Sequence, residues 1–480
     1  MTRSSGVAGG SLMLISARVI ASAGAFILFW VISQISVGQL GAFRTIFVFF
    51  IFTEFLPLLG MQQYVIREIS VLSGRIKSFI FHAFIFSLII ALVIIAFLLA
   101  AAIFGNYSSL VSAGLLLVAC ALPATAATLC LQSALIGLGR GAAFGFIHGL
   151  ETIIRTISGI ILIYSGQSII MVVVSFIAIR WLIVAVYWLA VSRHCGRETC
   201  RFDPVFFRNF LNQAPIFAGI LVLFLIIRFA AQLMLPWMKG DEAAGFFAVA
   251  YQFLDLALLM PTAFIINLLS VFSQQARVSL DELNDYCQNA LKVIALVIIP
   301  AVVVVFMQAE PIVLLIFKKS YLPSVLLLRI IIGITLLLAV DQIFSTAMIA
   351  SGRQKTDLLT LSFGATVILL ILWPLISLWG AVGAAAGYFA GVFTLVVARI
   401  LLVRSFLKDF NLASQIWRPV VAGLAAAALM ATAPFYWLIN VFTGLAVYLF
   451  LIILLGAISK EQRKSMSRLF ETAAAVGEKS

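Results

Sequence analysis

Residues 11–34 read SLMLISARVIASAGAFILFWVISQ, and Arg18 carries their one charge. About 20 apolar residues cross the hydrocarbon core of a bilayer, so this stretch is long enough to span. An arginine inside a span costs roughly 2.5–3.5 kcal/mol at the helix centre. Arg18 stands about two turns into the run, at ~1.5 Å per residue. Either its long side chain snorkels to the interface, or it faces a water-filled cavity. Arginines in other spans would favour the cavity.

The rest of the chain repeats the pattern. Of 480 residues, 64% are hydrophobic and 10% charged, against about 25% charged in a soluble protein. The chain is therefore all-α and polytopic. Fourteen spans are expected near residues 11–35, 40–66, 79–104, 110–138, 142–165, 168–191, 212–237, 243–271, 286–309, 322–350, 355–378, 381–404, 418–438 and 440–459. The connections are short, so successive helices run antiparallel, and no loop is large enough for a folded domain outside the membrane. Ala21-Ser22-Ala23 looks like a leader-cleavage site, but the apolar run continues to Val31. The segment is expected to stay as the first span.

Loop charges alternate. One set of connections carries Arg67, Arg75 and Lys77, then Arg140, then Arg193, Arg197, Arg201 and Arg208, then Arg277, Arg353, Lys355, Arg404, Lys408 and Arg418. The other set is nearly bare, with Lys239, Lys318 and Lys319 as its cations. The positive-inside rule makes the first set cytoplasmic. Both termini then lie inside, with the basic tail at Lys460, Arg463, Lys464 and Arg468 against anionic lipid. The net charge of +13 is thus a matter of topology and membrane lipid, with no nucleic-acid partner expected.

An internal repeat organises the spans. Residues 134–140, ALIGLGR, return as residues 347–353, AMIASGR. Gly41 and Pro57 of the second span return at the same separation as Gly245 and Pro261 of the eighth. Arg18 of the first span has its counterpart in Arg228 of the seventh. Six spans separate the copies, so they keep one orientation, which is a transporter architecture. The expected organisation is an N-lobe at 1–200, a C-lobe at 201–410, and two further spans with the basic tail at 411–480.

Charges inside spans mark the candidate site. Seven arginines are placed there: Arg18, Arg44, Arg155, Arg180, Arg228, Arg329 and Arg399. The carboxylates counted beside them are Glu54, Glu151, Asp255 and Asp341. Guanidinium stays ionised and its planar fork fits phosphate and carboxylate, so the cation excess suits an anionic cargo. Arg18, Arg228, Arg44, Arg329 and Arg180 are the candidate substrate-binding cations. Glu54, Asp255 and Asp341 are candidate coupling or ion-pair residues. Glu151 and Arg155, four apart, can pair on one helix, and Arg399 can snorkel.

Enzyme signatures are missing. His82, His148 and His194 are scattered, and there is no phosphate-binding Gly-rich loop or nucleophile elbow. The run HCGRETC at 194–200 lacks a fourth metal ligand. No catalytic residue, metal or cofactor is expected.

Several short motifs, in order along nearly the whole chain, resemble a known family. They are ALIGLGR at 134–140, AGFFAVAY at 244–251, AEPIVLLIF at 309–317 with Tyr321, ASGRQK at 350–355 and WGAVGAA at 379–385. The chain resembles the polysaccharide-transporter branch of the multidrug/oligosaccharidyl-lipid/polysaccharide exporter (MOP) superfamily, the O-antigen-type lipid-linked oligosaccharide flippases. The resemblance implies two six-helix bundles around a central cavity, as in the MATE transporters, plus two C-terminal helices. It implies a cargo of undecaprenyl-diphosphate-linked oligosaccharide, moved from the cytoplasmic to the periplasmic leaflet of a bacterial inner membrane. The polymerase and ligase of the same pathway would be partners. The first outer turn, residues 35–41, lacks the family's acidic turn, and Lys318-Lys319 replace a usual glycine. A lipid II flippase and a drug/cation antiporter of the same superfamily are the alternatives.

Overall fold

The computed structural model describes residues 22–71, 76–193, 204–407, 410–432 and 436–456. Its regular elements are helical. Lipid offers no partner for a backbone N–H or C=O, so a spanning segment must satisfy its own. In order the helices are α1 (Ser22–Ser33), α2 (Val37–Phe55), α3 (Gln62–Val71), α4 (Ile76–Phe104), α5 (Ser109–Gly137), α6 (Gly141–Tyr164), α7 (Ile169–Ser192) and α8 (Pro204–Val278). After these come α9 (Leu280–Met307), α10 (Ala309–Ile316), α11 (Ser324–Ile332), α12 (Ile334–Ala350), α13 (Gln354–Arg404), α14 (Leu412–Thr432) and α15 (Trp437–Leu454).

Among the described residues, eleven helical runs are long and apolar enough to cross a membrane, and α1 is a shorter apolar helix. Two of the eleven each contain two spans. The 75 residues of α8 and the 51 of α13 would measure far more than the ~30 Å of hydrocarbon at ~1.5 Å per residue. Each is interrupted by a glycine outside helical geometry, Gly240 (φ 82°) and Gly380 (φ 57°), a region closed to most side chains. In α13, Asp357 and Arg399, 42 positions apart, form an ion pair. A straight helix would hold them roughly 60 Å apart, so the chain doubles back between them. Counted this way the described residues hold thirteen spans and the shorter α1, roughly consistent with the fourteen expected.

The chain divides into two compact units, one ending at Gly245 and the other beginning at Phe246. In the first unit α4, α5 and α7 pack together over an apolar core that includes Phe79, Phe86, Leu135, Ile183 and Tyr187. Val48 of α2 packs against Leu225 and Phe229 of α8. Gly41 lets α2 approach the turn after Gly240. A Cβ there would fall 1.8 Å from the Asp241 carbonyl oxygen and 2.6 Å from the Gly245 nitrogen.

The second unit is built around α9, α12 and α13. The last two spans, outside the repeat, dock on α9. Ala295 and Ile299 pack with Ala422, Ala426, Tyr448 and Ile452, and the Tyr448 hydroxyl donates to the Leu296 carbonyl at 3.0 Å. The repeated motif has one geometry in both units. The Arg140 N–H bonds Leu135 O at 2.9 Å, and the Arg353 N–H bonds Met348 O at 2.8 Å. This six-residue closure ends a helix and turns the chain. It also occurs at Gln167 N to Leu162 O, so the repeat rests on the shared sequence and not on the cap.

Candidate functional site: arginine–carboxylate clusters inside the helices

Glu54, Glu151, Arg155 and Arg180 converge in the first unit. Glu151 and Arg180 lie near the middle of α6 and α7, 24 residues each. Glu54 is the penultimate residue of α2. The chain then breaks: a 3-10 turn at Leu56–Leu58, Leu59 in the left-handed region (φ 47°), and α3 from Gln62. Pro57 helps end α2, since it has no N–H to continue the ladder.

One carboxylate oxygen of Glu54 accepts from Nη2 of Arg180 and lies 3.5 Å from Nη1 of Arg155. Glu151 is the second carboxylate, with Oε1 3.2 Å from Arg180 Nη1 and 3.9 Å from Arg155 Nη1. Both guanidiniums lie over the Phe50 ring, at 5.6 Å for Arg155 and 5.4 Å for Arg180, and Arg155 also faces Phe176. A cation over an aromatic face is stabilised further when little water reaches it. The exposures are graded. Glu54 keeps 28% of its side-chain surface open, Arg155 13%, Arg180 4% and Glu151 none. Neither oxygen of Glu151 makes a hydrogen bond, so the arginines hold it by charge alone. His148, one turn before Glu151 and Thr152, stacks on Phe144 with its Nδ1 buried and unbonded.

The second unit has its own cluster. The Arg399 side chain is fully buried between Asp341 of α12 and Asp357 at the start of α13. Its Nε lies 2.7 Å from Asp341 Oδ1, an ion-pair distance without hydrogen-bond alignment. The cluster carries two carboxylates to one arginine. Both units thus join a carboxylate from one span to an arginine on the next, Glu151 to Arg180 and Asp357 to Arg399.

The other candidates are separate. Arg44 is buried, and its Nε donates to Gln232 Oε1 of α8 at 2.8 Å. Arg228 is half-buried on the first part of α8, between Leu225 and Phe229, which face α2. Asp255 is half-buried on the second part of α8. Arg329 donates from Nε to the Phe306 carbonyl at 3.3 Å, at the C-terminal end of α9. Arg18 lies outside the described residues.

Among the described residues, two further charges inside helices are buried. Lys292 is buried within α9, and Asp357 is buried in the first turn of α13. Asp357 stands four residues from Arg353 and reads as part of a charged loop. Lys292 stands among Asp281, Glu282 and Asp285, which blur the start of its span. Each adds one charge of its sign, so the excess of cations is unchanged. Arg155 makes the expected local pair with Glu151 and also reaches Glu54, while Arg399, expected to snorkel, is fully buried in a tertiary cluster. No group of three or more histidine, cysteine or acidic side chains that could hold a metal is found among the described residues.

Membrane-length helices with ion pairs buried between them define the class: a multi-pass membrane protein. The chain belongs to the family described as "Polysaccharide biosynthesis protein", whose model matches residues 7–326. No curated protein sequence matches it. Among solved structures it is similar to "Lipid II flippase MurJ, inward closed conformation", with TM-score 0.74 and 15% identity over 93% of this chain and 98% of that one. It is also similar to an inward-facing multidrug resistance MATE family transporter of the MOP superfamily, with TM-score 0.62 and 16% identity over 82% and 95% of the two chains. A third is a MOP superfamily transporter from Pyrococcus furiosus Vc1 described by the reverse polarity of its binding pocket, with TM-score 0.55 and 15% identity over 84% and 96%. The family and fold expected from the sequence motifs are therefore borne out.

Proposed function

We propose that this protein is a flippase for an undecaprenyl-diphosphate-linked oligosaccharide, an O-antigen repeat unit, working by alternating access in a bacterial inner membrane. The cargo moves from the cytoplasmic to the periplasmic leaflet, with both termini of the protein in the cytoplasm. The observation that carries the reading is the placement of arginine, and not only lysine, on the spans, within a polysaccharide biosynthesis family. A lipid-linked diphosphate brings about two negative charges into a medium that solvates them poorly, and arginine forks meet phosphate with paired charge-assisted hydrogen bonds. Membrane lipid surrounds the protein, and the polymerase and ligase of the pathway take up its product.

The test is complementation of strains that each lack one flippase. Restored surface polysaccharide in a strain lacking its O-antigen flippase supports the reading, and no restoration in any polysaccharide strain removes it. The likeness to a lipid II flippase over 93% of this chain supports a second reading, transport of the peptidoglycan precursor. Rescue of viability in a strain depleted of its lipid II flippase would select that reading.

A further inference from the structure

We propose that Arg155 and Arg180 form a masked diphosphate-binding site, with Glu54 as a displaceable internal counter-ion and Glu151 as the fixed one. This rests on the flippase reading for its biological cargo, but the site itself is argued from the geometry of the first unit.

The two arginines present their guanidiniums against one aromatic ring, that of Phe50. Both are held by the same two carboxylates, on different nitrogens of Arg180 and on the one Nη1 of Arg155. Those carboxylates are not equivalent. Glu151 is fully buried and fixed in the middle of α6. Glu54 is the most exposed member, so an anion approaching the arginines meets it first. It also stands in the last turn of α2, where the helix dipole disfavours a negative side chain. Immediately after it the helix gives way to the 3-10 turn and left-handed Leu59, so a small change at this break swings Glu54 away.

A diphosphate can then take the vacated oxygen position, one phosphoryl oxygen replacing the Glu54 oxygen that both arginines share. Charge bookkeeping fits a transported ligand. With Glu54 in place the four side chains sum to zero, which lets the empty site exist in a low-dielectric span. With Glu54 swung out, two arginines and Glu151 leave a single positive charge. Such a site attracts a diphosphate without binding it too tightly to release, and the returning Glu54 competes it off.

The experiment measures binding of geranyl diphosphate to the full-length protein in detergent micelles, with geraniol as the uncharged control. Glu54→Gln removes the competitor and should tighten geranyl diphosphate binding about tenfold, at the lower end of what one charge within 4–6 Å does to a neighbouring ionisation. Loss of folding cannot produce a gain in affinity. The double variant Glu54→Gln with Arg180→Gln removes one charge of each sign and should bind no better than wild type. The site is refuted if Glu54→Gln binds no more tightly than wild type, or if the double variant keeps the tighter binding. Tighter binding of geraniol as well would refute it too, since that is an apolar effect. Failure of strain complementation with this binding pattern intact would remove the oligosaccharide flippase reading alone.

Discussion

Asp341 and Asp357 grip a single guanidinium, that of Arg399, from two helices that are neighbours in sequence, and the arginine side chain has no exposed surface. Removing one partner of a buried pair costs roughly 3–5 kcal/mol, because the other charge is left without compensation. Arg399→Ala strands two buried carboxylates and should be the most damaging change in the cluster. Asp341→Asn leaves Arg399 with Asp357 and should cost much less. Protein abundance in the membrane and thermal unfolding in detergent would show this order. Equal stability of the two variants would mean that the cluster does not hold α12 and α13 together.

Arg329 closes the end of a helix. Its Nε donates to the Phe306 carbonyl near the C-terminus of α9, where a cation also meets the negative end of the helix dipole at about 0.3–1 kcal/mol. Arg329→Lys keeps the charge and should leave transport per molecule unchanged. Arg329→Ala should lower the unfolding temperature slightly, again with normal transport per molecule. A large fall in transport at normal stability would return Arg329 to the substrate-binding cations.

Gly41 tests the close approach of α2 to the turn after Gly240. Any side chain there must displace backbone, since the Asp241 carbonyl oxygen would be 1.8 Å from the new Cβ. Overpacking typically costs 1–3 kcal/mol, and Gly41→Val should exceed Gly41→Ala. Gly38, one turn earlier, has nothing within 4 Å of its Cβ position. Gly38→Ala is the control and should be silent in the same unfolding measurement.

Much of this fold is legible in the sequence because lipid imposes one rule on every span. Apolar length and loop charge place the helices, and the Gly-Arg turns at 139–140 and 352–353 mark the repeat. The breaks inside α8 and α13 are legible as well, at Lys239-Gly240 and Trp379-Gly380. The pairing of charges is not. Arg180 looks like a free cavity cation, since Glu54 is 126 positions away and Glu151 is on another span. Arg399 looks like a terminal side chain, since its partners lie 42 and 58 positions upstream. Local spacing finds the i,i+4 pair of Glu151 and Arg155, but tertiary ion pairs depend on how helices rotate against one another. Even so, Glu54 and Arg180 both stand out in the sequence, because a charge in a span is costly wherever its partner lies.

Arg18 and Arg228 carry the last prediction. The sequence repeat puts them in corresponding expected spans, the first and the seventh, and the flippase reading places both against the cargo's diphosphate. Arginine would there make a bidentate contact that lysine cannot reproduce while keeping its charge. Arg→Lys at either position should therefore be partly active, and Arg→Ala nearly inactive, at normal protein abundance. A snorkelling arginine behaves differently: lysine replaces it fully, and alanine lowers the amount of protein and not its turnover. Surface polysaccharide and protein abundance, measured together for Arg18→Ala, Arg18→Lys, Arg228→Ala and Arg228→Lys, separate the two. Normal polysaccharide from both alanine variants at normal abundance would exclude these residues from the transport path. The clustered pair Arg155 and Arg180, with Arg44, would then remain as arginine contacts for an anionic cargo.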